Sequence, residues 1–493
     1  MERSSDPMNL ADAFVGLAHR WPERPALISP GLTLTYPGLA ARAAQTAREL
    51  RLRGVRPGAN IGIGIRNNAE TLVAMIALWM LGATAVPLDF RATAAERKLL
   101  AVEFDLFAII EDRRFPDSGY ESIFMDGSWA DQIGQHDASP LANEAEDAPA
   151  LIGLTSGTTG RPVGIILDHE RALLRFSFDR EQDFGPVMLN PLPLSFSASR
   201  SHTFAALLKG TAVFFYPLLF SAPELAEAAL AAKATSICTV PTIVRSWLDM
   251  TSGSSAPLFD SLSALYCFGA PMLAAEKLES KARLSSNFVQ EYGASFCGRI
   301  TALRGADLDA KPETVGRPLT YVEVQVVDDG DRIVPANTQG FIRVRSPGMA
   351  RLTYGQNTRT DSDRLKDGWA YTGDIGLLDE DGFIRLLARS SDLIIRAGAN
   401  VHPAEVEAVL AGHAGVKEVA VVGFAKSREG EEIAAFVIPS GDVSEADLVA
   451  HCRTHLTPDK RPRRFVFVTE LPRNSVGKIL RTELRDRLQV EKP

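Results

Sequence analysis

The chain has 493 residues, more than one hydrophobic core sustains, so two or more domains are expected. A net charge of −8 argues against a nucleic-acid partner, and 45% hydrophobic with 23% charged content is that of an ordinary globular protein. Four cysteines without paired spacing argue against a disulfide framework or a zinc site and fit a reducing compartment.

Along the chain, amphipathic helical patterns alternate with short Val/Ile/Phe-rich runs, which predicts an α/β fold. The first clear units are a helix over 39–50, a strand over 61–65 and a helix from Ala69. Residues 71–88 are uncharged and just reach the length of a membrane span. Gly82 and the ending Ala85-Val86-Pro87-Leu88 predict a buried helix and a core strand instead, with no stable membrane insertion. The N-terminus has early acids and no apolar segment of a secretory signal, so a cytoplasmic location is expected.

Strand-like runs at 150–152 and 165–167 bracket Thr155-Ser156-Gly157-Thr158-Thr159-Gly160-Arg161-Pro162-Val163-Gly164. Glycines let backbone N–H groups converge, and hydroxyls add donors without bulk, so this segment is predicted to be a nest for a nucleotide's phosphates. It is not a Walker loop, because no Gly-Lys-Ser/Thr follows the spacer. After Val315 the pattern changes: residues 322–327 and 341–345 alternate with period two, predicting antiparallel strands of a small barrel-like subdomain. A boundary near 388–391 divides a domain of residues 1–389 from one of 390–493. In the second, Lys478 follows Gly477 in a loop between the run 465–468 and a short basic helix. From residue type alone, Lys478 reads as a solvated surface lysine.

Together, the segment 155–164 and the string 471–481 (Leu-Pro-Arg-Asn-Ser-Val-Gly-Lys-Ile-Leu-Arg) resemble the phosphate loop and the C-terminal lysine loop of the adenylate-forming, AMP-binding superfamily. Shorter strings fall between them in the family's order: Gly269-Ala270-Pro271, Glu291-Tyr292-Gly293-Ala294-Ser295, Val315-Gly316-Arg317-Pro318, Tyr371-Thr372-Gly373-Asp374, Arg389 and 397–407. Thr35-Tyr36 with residues 39–44 resembles its opening strand and helix. The chain looks most like an acyl-CoA synthetase or aryl acid–CoA ligase. The resemblance implies a large N-terminal domain of mixed α/β subdomains plus the barrel-like one, and a small mobile C-terminal α+β lid.

It also implies the chemistry: a carboxylic acid and ATP give an acyl-AMP and pyrophosphate, and the acyl group then passes to CoA. By the same resemblance Lys478 and Thr155 serve catalysis, while Ser156, Gly157, Thr158, Thr159 and Gly160 hold phosphates. Gly269, Ala270 and Pro271 border the adenine, Tyr292 stacks on it, and Gly293 and Ser295 continue that loop. Asp374 accepts the ribose hydroxyls and Arg389 begins the hinge, with Ser391 just beyond. Phe196, Ser197, Arg200 and Gly293 fall at the acyl pocket, and Gly398, Ala399 and Asn400 at the thiol tunnel.

Three positions depart from the family pattern. Val163 replaces a lysine, Ser391 replaces an Asp or Lys, and Phe296 replaces the glutamate that holds Mg²⁺. A phenyl ring cannot ligate a hard cation, so Mg²⁺ would ride on the triphosphate and waters. Two readings follow: a working ligase with a reorganised metal site, or a catalytically impaired nucleotide- or acyl-adenylate-binding relative. Ser197 stands where amino-acid-activating relatives carry Asp, and a buried ammonium there would lack its counter-ion. The expected partner is therefore a small-molecule carboxylic acid other than an amino acid. An amine or carrier protein as acceptor, and a homodimer, are left open.

Overall fold

The computed structural model describes residues 9–141, 148–156, 162–177, 182–253, 256–355, 358–360, 364–396, 399–427, 430–473 and 477–490. Two large sheets dominate the first part. One has nine strands, with Phe288–Ala294, Ala264–Cys267, Ser236–Thr239, Val187–Asn190 and Ala212–Phe215 side by side in its middle. Those strands pair in parallel, and Ala264–Cys267 is buried at every residue, as expected where helices cover both faces. The other has eight strands, running from Thr358–Thr360 through Pro162–Leu167, Leu151–Ser156 and Thr84–Pro87 to Ser122–Phe124.

The apolar run 71–88 divides as its composition predicts. Asn67 caps the helix Asn68–Met80 by accepting from the Ala69 N–H, and every residue of that helix except Glu70 is buried. Gly82 then turns the chain at φ +64° into the strand Thr84–Pro87. Trp79 fixes the helix in the core, its Nε1 donating to Ala150 O at 2.7 Å and its ring packing on Phe14 and Phe204. Full burial of such a side chain stabilises by about 1.5–3 kcal/mol. Among the described residues no helix is long and apolar enough to cross a membrane.

The period-two segments form a five-stranded antiparallel sheet of Glu323–Val327, Gly340–Arg345, Trp369–Leu378, Leu365–Lys366 and Ile384–Arg389. One 3-10 turn, Ser390–Asp392, leads from it to a last sheet built on Gly430–Pro439 and Val416–Ser427. That sheet and the helices Pro403–Ala411 and Glu445–His455 enclose their own apolar cluster around Val406, Leu410, Val421, Ile433 and Leu448.

Candidate adenylation site

The candidate site is built around Asp374. The sheet register sets it directly across from Arg389, whose Nε lies 2.7 Å from Oδ1. From the neighbouring large sheet, the Tyr292 hydroxyl donates to Oδ2 at 2.6 Å. Asp374 is only 5% exposed. Burial, and then the adjoining carboxylate, drive the Tyr292 phenol far above its ordinary pKa, so it stays a neutral donor. Both oxygens of Asp374 are thus oriented before any diol arrives. Gly269, Ala270 and Pro271 lie nearer the surface. Gly269 adopts φ +94°, and a Cβ there would stand 3.1 Å from the Phe196 ring, so glycine suits both the backbone and the space.

The lysine loop reaches this site from the lid. Arg473 anchors it, bonding Glu418 at 2.7 Å and donating to Gly477 O at 2.7 Å. Gly477, at φ +76°, seats against Thr242 of the helix Pro241–Met250; a Cβ there would be 2.6 Å from the Thr242 hydroxyl. Lys478 is half-buried rather than a solvated surface group. Burial lowers its pKa, the Arg389 charge lowers it further, and Asp392 and Asp374 pull the other way. The charges of both Asp374 and Arg389 thus reach the Lys478 ammonium.

Next to this, Ser391 is exposed, and its carbonyl accepts from Arg485, which also pairs with Asp392 at 3.2 Å. His402 of the lid meets Gln339 at 3.2 Å. Ala399 and Asn400 lie in a strand paired to Arg396 and Ile395, while their side chains, and Gly398, are outside the described residues.

The phosphate segment differs from the expected loop at its start. Thr155 and Ser156 close a hairpin, opposite Val163 and Pro162, and the Thr155 hydroxyl donates to Val163 O at 3.2 Å. Gly157, Thr158, Thr159 and Gly160 are outside the described residues. The loop after Tyr292 is clamped by Arg175, which donates to Ser295 O at 2.9 Å and Phe296 O at 2.7 Å. The Phe296 ring, 6% exposed, joins the main core, with the Arg364 guanidinium 6.0 Å from its centroid. Among the described residues no cluster of three His, Cys, Asp or Glu could hold a metal ion. The Phe296 ring, turned into the core, offers a hard cation no oxygen.

On the acyl side, Ser197 starts the helix Ser197–Leu208 and Phe196 lies 5.9 Å from Phe268. Arg200 requires a correction. It is 3% exposed, and its Nη1 donates to Leu194 O and Ser195 O, so it supports the loop from behind instead of facing a substrate. His202, which the sequence offers with Arg200 as a residue to meet a polar substrate or face solvent, instead joins a buried network one turn deeper. The His202 Nδ1–H donates to Ala198 O at 2.8 Å, its Nε2 meets Glu291 at 2.9 Å, and its ring stacks on Phe268. Burial disfavours the imidazolium, but the Glu291 charge and hydrogen bond outweigh it, and the pKa of His202 is raised. Arg299 binds the other Glu291 oxygen and Gln182 approaches both Glu291 and His202. Glu291 and Gly293 share a strand face, so alternation within the quoted motif was a signal for this network.

A buried Asp–Arg pair on the antiparallel sheet, with a C-terminal lysine loop seated close by, is the arrangement expected of an adenylate-forming enzyme. The chain belongs to the AMP-binding enzyme family: residues 16–354 match the model of that name, and residues 405–478 match the AMP-binding enzyme C-terminal domain. It is 30% identical to the 2-succinylbenzoate–CoA ligase of Bacillus subtilis strain 168 over 94% of its own length and 95% of that protein. It is 31% identical to ScoC of Streptomyces coeruleorubidus, a fatty acid–[acyl-carrier-protein] ligase, over 95% of this chain and 94% of that one. The Bacillus subtilis O-succinylbenzoate coenzyme A synthetase, solved with ATP and magnesium ion, superposes with a TM-score of 0.84 at 27% identity, covering 97% of this chain and 99% of that one.

Proposed function

We propose that the protein is an ATP-dependent acid–thiol ligase that converts a small carboxylic acid to its acyl-AMP and passes the acyl group to CoA. What supports this reading is the buried Asp374 held by Arg389 and Tyr292, with the lid's Gly477–Lys478 loop seated against Thr242 and within reach of that pair's charge. Adenylation brings the anionic carboxylate and α-phosphate together, and a fixed cation at that point stabilises the charge that gathers in the transition state. In this reading Asp374 takes the ribose hydroxyls, Gly269–Pro271 and Tyr292 border the base, and Thr155 with the following residues receives the phosphates. ATP enters as its Mg²⁺ complex, the metal carried by the triphosphate, and CoA enters by the 398–400 loop. Residues 1–389 form the body and 390–493 the lid, which turns at Ser391 between half-reactions. The expected location is the cytoplasm, which the four buried free cysteines support.

Acid-dependent pyrophosphate release across a panel of carboxylic acids, followed by thioester formation on adding CoA, tests this. AMP binding with no pyrophosphate release from any acid would favour the impaired, binding-only reading. The similarity to ScoC favours one second reading, a carrier-protein acceptor. Thioester formed on a carrier protein but not on CoA would select it.

A further inference from the structure

His202 stands where three parts of the candidate site meet. Its Nδ1–H donates to Ala198 O, one turn back on the helix Ser197–Leu208, which orients the ring. Its Nε2 lies 2.9 Å from Glu291 on the strand Phe288–Ala294. The ring stacks on Phe268 at 4.7 Å, and Phe268 in turn lies 5.9 Å from Phe196. Phe268 directly precedes Gly269, and Glu291 directly precedes Tyr292. A bulge between Tyr292 and Gly293 shifts the register against the next strand, so that Arg299 joins Glu291. With Gln182, Ser201, Ala205, Arg299 and Tyr321, His202 also lines a small cavity.

The bonding fixes the state of the ring. Ala198 O can only accept, so Nδ1 carries a proton, and Nε2 faces a carboxylate oxygen, so a proton lies between those two atoms as well. Arg299 and Gln182 donate to the other Glu291 oxygen and favour the ionised carboxylate. His202 is therefore an imidazolium that donates from both nitrogens. A buried ion pair adds little net stability over apolar residues of the same volume. What apolar contacts lack is direction: they would let the helix slide over the strand, whereas two hydrogen bonds through one planar ring set a single register. Alternation turns Tyr292 to the strand face opposite Glu291, where its hydroxyl meets Asp374. One face of the strand is thus tied to the helix that begins at Ser197, and the other to Asp374.

We propose that His202 is a positioning residue for adenylation, holding the acid-side helix in register with the Tyr292 strand so that the carboxylate oxygen meets the α-phosphorus opposite the departing pyrophosphate. This rests on the ligase reading above. The register matters only while acid and nucleotide are separate molecules. Once the acyl–AMP bond has formed, that bond holds the two halves together, and transfer to CoA no longer depends on the His202–Glu291 pair.

His202→Phe tests this, because it keeps a ring against Phe268 while removing both hydrogen bonds, and Glu291 stays matched by Arg299. With an acid found by the panel above, kcat for acyl-AMP formation per active site should fall about 10- to 100-fold, the scale of a misplacement near 1 Å. AMP affinity by calorimetry, and thioester formation from the pre-formed acyl-adenylate, should stay near wild type. His202→Gln, which keeps a donor for Glu291, should recover part of the loss. Equal loss in both half-reactions would overturn the proposal, since that marks a purely structural role, and so would an unchanged kcat. AMP affinity falling in step with kcat would overturn it too, by showing the Tyr292 loop displaced. Should His202→Phe fail to fold, His202→Gln and Glu291→Gln carry the same comparison of half-reactions. Absence of pyrophosphate release from every acid in the wild-type protein would instead overturn the ligase reading, and this role with it.

Discussion

The contact between Gly477 and Thr242 decides whether the lysine loop can seat, and Gly477→Ala isolates it. At φ +76° an L-residue costs about 1–2 kcal/mol, a cost the loop bears in any lid position where it keeps this conformation. The added Cβ would also stand 2.6 Å from Thr242 Oγ1 and 2.7 Å from its Cγ2. Rotating Thr242 cannot fully relieve this, because every staggered rotamer leaves at least one γ atom in one of those two places. That overlap exists only with the lid down, and overpacking of this kind costs about 1–3 kcal/mol. The lid-down term alone should slow acyl-AMP formation by about 5- to 150-fold. Transfer from a pre-formed acyl-adenylate to CoA, with the lid turned away, should stay near wild type. Thr242→Ala removes both γ atoms, so the double variant should recover the overlap term but not the backbone term. The assay is pyrophosphate release for the first half-reaction and thioester formation for the second. Equal loss in both, or no rescue by Thr242→Ala, would refute a seat that matters only for adenylation.

Three further outcomes follow from the same geometry. Lys478 must be charged to act, and its pKa is lowered, so acyl-AMP formation should fall with rising pH sooner than an ordinary lysine would dictate; in Lys478→Arg any residual rate should lose that alkaline decline, because a guanidinium stays protonated. Phe296→Glu should remove about 1.5–3 kcal/mol of burial, seen as a lower Tm, and leave the Mg²⁺ titration of acyl-AMP formation unmoved; a titration shifted to lower Mg²⁺ would mean that position 296 faces the triphosphate. Tyr292→Phe removes a hydrogen bond to a charged group, worth about 1.5–3 kcal/mol to the nucleotide-free enzyme, yet calorimetry should find AMP affinity undiminished because the ribose no longer competes for Asp374.

How far the sequence was legible depended on how local each determinant was. The helix Asn68–Met80 and the strand after it follow from composition and one glycine, both visible within the segment 71–88. Asp374 and Arg389 were each legible as parts of short strings, but their pairing is a register between strands that no string contains. Lys478 shows the same limit: residue type alone predicts a solvated group, and only the lid's docking on Thr242 makes it half-buried.

Arg200 and Arg299 separate the two cases most clearly. Arg200 stands close to Phe196 and Ser197 in sequence, and proximity made it a pocket residue. Helical geometry separates the two: at about 100° per residue, i+3 lies about 60° to one side of Ser197 and i+4 about 40° to the other, so Arg200 and Ser201 diverge. Hence Ser201 reaches the cavity while Arg200 supports the loop behind. Arg299 lies outside every quoted string, and regular alternation counted back from Thr301 would give it the Tyr292 face. A single bulge reverses that assignment, and no residue type announces it. The place of Arg299 beside Glu291 is thus set by register, the property of a sheet least visible in a chain read one segment at a time.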